Sequence, residues 1–172
     1  MSLNDEMIRA SRFVRDPRVG GLLASLGLTQ GPPFGIDWVA FHGVTYEPVQ
    51  DGGDACLIVP VFEDGCLVDL AACAYRGRRI ATRRHVGLAL GERFIARAVA
   101  KQARLRLFAD PWRWVRAGRR GAVVLDWSRA ALVFDGIHEV DCDDASLARR
   151  VHATTRRMAD PPRLFIPNRR TH

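Results

Sequence analysis

Two β-prone runs that meet at Asp64-Gly65 constrain this chain more than any other feature. Cys56-Leu-Ile-Val-Pro-Val-Phe62 and Cys66-Leu-Val-Asp-Leu70 flank Glu63, Asp64 and Gly65. An Asp-Gly pair between such runs favours a two-residue hairpin turn with both residues at positive φ. Glu63 then faces Cys66, and an unbroken register carries Cys56 opposite Cys73. Both faces of the hairpin are apolar, so cover is expected on both sides. Pro60 has no N–H to give a ladder and marks an edge or a bulge.

The remaining elements are read outward from this hairpin. Residues 5–15 and 18–26 pattern as two short helices, the second from Val19, Leu22, Leu23 and Leu26 at i, i+3, i+4, i+7, with Gly27 to end it. Thr29 to Gly35, with Pro32 and Pro33, is a loop, and Trp38 to Tyr46 alternates as a strand. Gly91 to Phe108 reads as one helix with Ile95, Ala98, Val99, Gln102 and Leu105 inward. Asp110 before Pro111 is an N-cap followed by the first helical position, for a short helix through Val115 that stops at Gly118. Strands at 122–125, 137–140 and 164–166 then alternate with helices at 128–134 and 143–158, the latter capped by Asp143 or Asp144. This β-α-β-α-β order predicts a small parallel sheet with crossover helices. The expected class is α+β (mixed α/β): short N-terminal helices, a hairpin-containing sheet, a basic central helix and the β-α-β-α-β part. At 172 residues the expectation is one domain, 1–172, in four parts: 1–30, 36–75, 76–120 and 121–168.

Charge is distributed unevenly along these elements. Residues 19–75 contain seven acids and no Lys or Arg, whereas residues 76–120 contain fourteen Lys and Arg against Glu92 and Asp110 alone, a net +12. Twenty-five of the 26 basic residues are Arg, a coding bias that explains the choice of Arg but not its clustering. Segregation of this kind points to a surface that attracts an anionic partner. Arg93, Arg97, Lys101 and Arg104 fall at i, i+4, i+8 and i+11 on one predicted helix face. Like charges at i, i+4 cost roughly 0.2–0.5 kcal/mol per pair, which an anion would offset. The row spans roughly 16 Å at 1.5 Å per residue, comparable to several backbone phosphates. Pairing with the acids of residues 37–69 would satisfy the same charge. Arg113, Arg116, Arg119 and Arg120 extend the basic set, with Arg76-Gly-Arg-Arg79 and Arg83-Arg84-His85 flanking it. Trp112 and Trp114 among the arginines offer base stacking, or core packing as the alternative.

Other chemistry is sparse. Cys56, Cys66, Cys73 and Cys142 show no C-x-x-C spacing and read as small apolar residues rather than zinc ligands. There is no Walker loop, no G-x-G-x-x-G and no recognised nucleophile setting for the histidines. The acidic stretch from Asp135 to Asp144 could hold a divalent ion, and Asp126 ends a strand where α/β sheets place ligands. The longest uncharged run, 19–36, is rich in Gly and Pro, and Asp5 and Glu6 stand where a signal peptide would be basic. A cytoplasmic protein with no membrane partner is expected.

Trp38-Val-Ala-Phe-His42, Ala55-Cys-Leu-Ile-Val-Pro60, Glu63-Asp-Gly65 and Asp69-Leu70 together resemble the front of phage-type primase proteins that carry a toprim domain. Asp141-Cys-Asp143-Asp144-Ala-Ser-Leu-Ala148 is similar to a toprim acidic motif leading into its helix. The stretch Asp110 to Gly121 also resembles small prophage proteins of alphaproteobacteria. The resemblance departs from the toprim pattern where a catalytic glutamate is replaced by Asp126, and where Asp141 and Asp143 follow the second rather than the third strand. It implies a reduced relative in a nucleic-acid setting, without polymerase or cleavage activity.

Three readings follow. The first is a phage- or mobile-element-type accessory protein that binds a nucleic-acid backbone non-specifically through Arg93, Arg97, Lys101, Arg104, Arg113, Arg116, Arg119 and Arg120, with no cofactor. The second is a toprim-like, Mg²⁺-dependent phosphotransfer enzyme with Asp126, Asp141 and Asp143 as metal ligands. The third is an interaction module for an acidic protein partner.

Overall fold

Asp64 and Gly65 both turn at positive φ, 49° and 74°, so the Asp-Gly pair makes the two-residue turn its sequence favours. This is seen in a computed structural model that describes residues 2–14, 23–24, 34–75 and 79–167. Of the expected helix at 18–26 only residues 23–24 are described, and they are helical; the rest of it, most of the loop from Thr29 to Gly35, and Arg76 to Arg78 lie outside the described residues. The chain divides into two compact units, Met1–Gly87 with Asp110–Gly118, and Leu88–Ala109 with Arg119–His172. Helices and strands both contribute, in several sheets, as the α+β class requires.

The first unit is a closed five-stranded barrel. Its strands are β1 (Gly35–His42), β2 (Thr45–Pro48), β3 (Asp54–Glu63), β4 (Cys66–Ala74) and β5 (Ile80–Thr82), in the order β1-β2-β5-β4-β3. The run Trp38–Tyr46, expected as one strand, is instead folded back on itself at Gly43, so that His42 faces Thr45. Glu63 faces Cys66 as expected, but the register shifts between Val61 and Phe62 and pairs Cys56 with Ala74 and Leu57 with Cys73. The irregularity displaces every pair beyond it by one residue, and Cys56 and Cys73 are therefore not opposite each other. Pro60 lies between this shift and Ile58, where pairing with β1 ends.

The barrel is covered on both faces, as its apolar runs demand. Helix α1 (Leu3–Val14) places Leu3 and Ala10 against Val39, Tyr46, Cys56, Ile58, Leu70 and Ala72. A short helix, α2 (Pro111–Arg116), belongs to the same unit, and the Trp112 indole N–H donates to the carbonyls of Cys73 and Ala74 at 3.2 and 3.3 Å. The Asp110 carboxylate accepts from Arg113 N at 2.9 Å and caps α2, as its position before Pro111 predicts. Burial pushes the Cys56 thiol up to about 12, with help from Asp54 and Asp37.

The second unit carries the basic segment. Helix α3 covers only Glu92–Lys101, not Gly91 to Phe108. It stops because Gln102 adopts φ +48°, with Gln102 N donating to Val99 O and Ala103 N to Ala98 O, a Schellman closure. The chain then extends as β7 (Leu105–Leu107), beyond β6 (Ala89–Leu90). It continues through β8 (Val123–Val124), α4 (Ala130–Phe134), β9 (Glu139–Cys142), α5 (Ala145–Thr155) and β10 (Arg163–Phe165). A parallel sheet of order β10-β9-β7 does form. Its third strand is β7, while β8 pairs antiparallel with β6; the run at 122–125 meets the parallel sheet through a single parallel bridge, Ala122 to Leu107. Asp144, not Asp143, caps α5 by accepting from Leu147 N at 2.8 Å. Leu105, Leu107, Phe134, Ile137, Val140 and Val151 anchor its core.

Three of the four cysteines are buried and Cys66 is exposed. No helix among the described residues is long and apolar enough to cross a membrane.

Candidate nucleic-acid interface

Local geometry in the second unit sorts the basic residues predicted from the sequence. Arg93, Arg97 and Lys101 are exposed along α3, as the i, i+4, i+8 spacing requires, while Ala98 alone is fully buried in that helix. Val99 and Gln102, expected inward, are exposed, and the helix ends at Lys101, seven residues before the expected Phe108. Arg104 lies past the helix, on the approach to β7.

Beyond the helix end, alternation along β7 buries Leu105 and Leu107 and turns Arg106 outward. Ala122 N donates to Arg106 O at 2.9 Å, and Phe108 N donates to Ala122 O, also at 2.9 Å. These bonds bring Arg120 and Gly121 alongside β7. The approach needs glycine: a Cβ on Gly121 would overlap the Arg106 carbonyl oxygen, and one on Gly91 would overlap the carbonyl of Gly121.

The outcome is a cleft of about 270 Å³ lined by Phe94, Arg97, Ala98, Ala103, Arg104, Leu105, Arg106, Arg120 and Gly121. Four guanidinium-bearing residues line it and no carboxylate does. Two acids of β9 lie beside lining arginines. Glu139 pairs with Arg104 at 3.3 Å, and Asp141 is the register neighbour of Arg106 without an ion pair to it. Among the described residues Arg93, Arg97 and Lys101 form no ion pair.

Aromatic rings hold several of these cations. Arg93 lies 4.8 Å over the Phe94 ring, Arg104 3.6 Å over Phe165 and Arg106 4.9 Å over Phe108. Such contacts restrict a long side chain while leaving its N–H donors available. Arg106 and the three phenylalanines escaped the sequence reading, which took 105–108 as helix. The Leu-Arg-Leu alternation was the available signal.

Other expected participants lie elsewhere. Arg113 and Arg116 sit on α2 in the first unit, and Arg113 is tied to Asp110 at 3.5 Å. Trp112 and Trp114 are buried, 7% and 6% exposed, so they pack rather than present faces for base stacking. Arg119, at φ +60°, is half-buried beside Arg120. The acids of residues 37–69 that are buried are engaged within the barrel unit. Asp37 pairs with Arg9, and Asp69 accepts from the backbone N–H groups of Leu70, Arg84, Val86 and Gly87 at 2.8–3.2 Å.

The predicted metal ligands are not gathered into one site. Among the described residues no group of three or more His, Cys, Asp or Glu side chains is placed to hold a metal ion. Asp126 instead accepts from the Ser128 hydroxyl at 2.6 Å, from Ser128 N at 2.9 Å and from Arg129 Nε at 2.6 Å. The Ser128 hydroxyl, opposed by burial and joined by Arg129, holds the Asp126 carboxyl down at about 2. Cys142, between Asp141 and Asp143, is buried, which pushes its thiol up to about 12. No protein-family model matches the chain, and no match was found among the curated proteins or the solved structures.

Proposed function

We propose that the protein binds the phosphate backbone of nucleic acid through the exposed face of α3 and the adjoining cleft. It would act as an accessory factor of the phage or mobile-element type, without base specificity. One observation carries this reading: Arg97, Arg104, Arg106 and Arg120 line a single cleft with no carboxylate among its walls. Phosphate contacts from arginine fix a protein on a polynucleotide but read no bases. Each neutralised phosphate releases counterions, so affinity falls with salt.

A salt titration with duplex DNA and with single-stranded RNA tests the reading. With about four phosphate contacts, log K should fall against log salt with a slope of about −3 to −4 on duplex DNA. The double variant Arg97→Glu, Lys101→Glu should flatten that slope and abolish most binding. Absence of binding at low salt rules the reading out. Capture of acidic polypeptides without nucleic acid would assign the same face to a protein partner.

A further inference from the structure

The basic residues differ in shape of surroundings as well as in position. Arg93 and Lys101 stand on an exposed helix face, which suits a passing backbone. Arg97, Arg104, Arg106 and Arg120 instead line one cleft of about 270 Å³, together with Phe94, Leu105 and Gly121. That volume lies at the small end of ligand pockets and has no room for a duplex.

Charge makes the same distinction. An internal phosphodiester carries one negative charge, whereas a phosphomonoester carries about −1.5 to −2 at neutral pH and three acceptor oxygens. Four arginines, only one of them paired to a carboxylate, exceed what a single diester neutralises. Guanidinium forks match phosphate oxygens in pairs, and charge-assisted bonds of this kind are the strong ones. The stacking of Arg104 on Phe165 and of Arg106 on Phe108 limits the order that must be imposed on binding.

We infer that this cleft is a socket for the terminal phosphate of a nucleic-acid strand, with α3 following the backbone that leads to it. The inference rests on the nucleic-acid reading above and assigns a substrate class within it: phosphorylated strand ends. A 5′-phosphate and a 3′-phosphate share this chemistry.

Fluorescence anisotropy at fixed low salt separates the possibilities, using single-stranded oligonucleotides of one sequence with 5′-phosphate, 3′-phosphate or only hydroxyl ends. One phosphorylated end should bind roughly tenfold more tightly than the hydroxyl end, and which one does so identifies the source. Arg106→Gln combined with Arg120→Gln should erase that preference, while Lys101→Gln lowers all three affinities alike. A thermal melt matching wild type shows that the double variant is folded. Equal affinity for all ends would overturn the socket and leave backbone binding standing. A preference that survives in the folded double variant would also overturn it. Absence of binding by all three oligonucleotides removes both.

Discussion

The barrel unit and the basic unit treat charge in opposite ways. In the barrel, Glu6, Asp37, Asp69 and Asp110 are all buried, and each is used up by the fold. Glu6 accepts from Tyr46 Oη at 2.9 Å and from Arg83 Nε at 3.1 Å, and the other three bind Arg9, four backbone N–H groups and the first turn of α2. Burial, together with the Glu6 carboxylate, pushes the Tyr46 hydroxyl above its ordinary range. In the basic unit the arginines are mostly exposed. Among the described residues, four of the five arginine–ring contacts lie there, and a ring neutralises nothing. Charge that is internally satisfied holds a fold together, whereas charge that is positioned but left uncompensated is available to a ligand.

The contrast is broken most forcefully at Asp69. Replacing it with Ala orphans four backbone donors at 84–87 and Leu70, at a cost of about 3–5 kcal/mol. Urea unfolding measures this, and a loss below about 1 kcal/mol would mean that water replaces the carboxylate. Asp126 repeats the barrel's pattern inside the basic unit, a buried carboxylate consumed by its neighbours. Its folded value near 2 lies below the ordinary 3.8, so its stabilisation is full above about pH 4 and is lost as pH falls through about 2. Wild type should exceed Asp126→Asn by about 1–2 kcal/mol at neutral pH, with the gap closing on acidification. A gap independent of pH would assign the difference to packing. The smallest effect is expected on α3. Arg97→Gln removes two like-charge neighbours at i ± 4 and should leave stability unchanged or raise it by up to about 0.5 kcal/mol, while weakening nucleic-acid binding. A clear loss of stability there would show that Arg97, too, is used by the fold.

Legibility followed the range of the interactions concerned. The turn at Asp64-Gly65, the caps at Asp110 and Asp144, and the exposed row Arg93, Arg97 and Lys101 were all readable, because each depends on residues within one turn of each other. The register of the hairpin was not: both runs are apolar on both faces, so alternation does not report the shift between Val61 and Phe62. Nor was the end of α3, where Gln102 accepts a left-handed conformation that glycine or asparagine usually takes. The tryptophans illustrate the same limit. Their spacing allowed either stacking or packing, and the carbonyls of Cys73 and Ala74, nearly forty residues earlier, settled Trp112 as packing.

By itself, the sequence determined the α+β class, the sites of the local turns and caps, and the concentration of net positive charge in residues 76–120. The turns, the caps and the charge distribution belong to neighbouring residues and do not depend on how distant strands pair. Tertiary structure decided that β3 and β4 close into a barrel, that Asp110–Gly118 joins that barrel's unit, and that β7 replaces β8 in the parallel sheet. It also decided which arginines meet: Arg106 and Arg120 are fourteen positions apart and come together only because Ala122 bonds to the Arg106 backbone, beside a residue with no side chain, Gly121. Charge composition is additive along a chain, but a concave site depends on which strands pair, and that is a property of the whole fold.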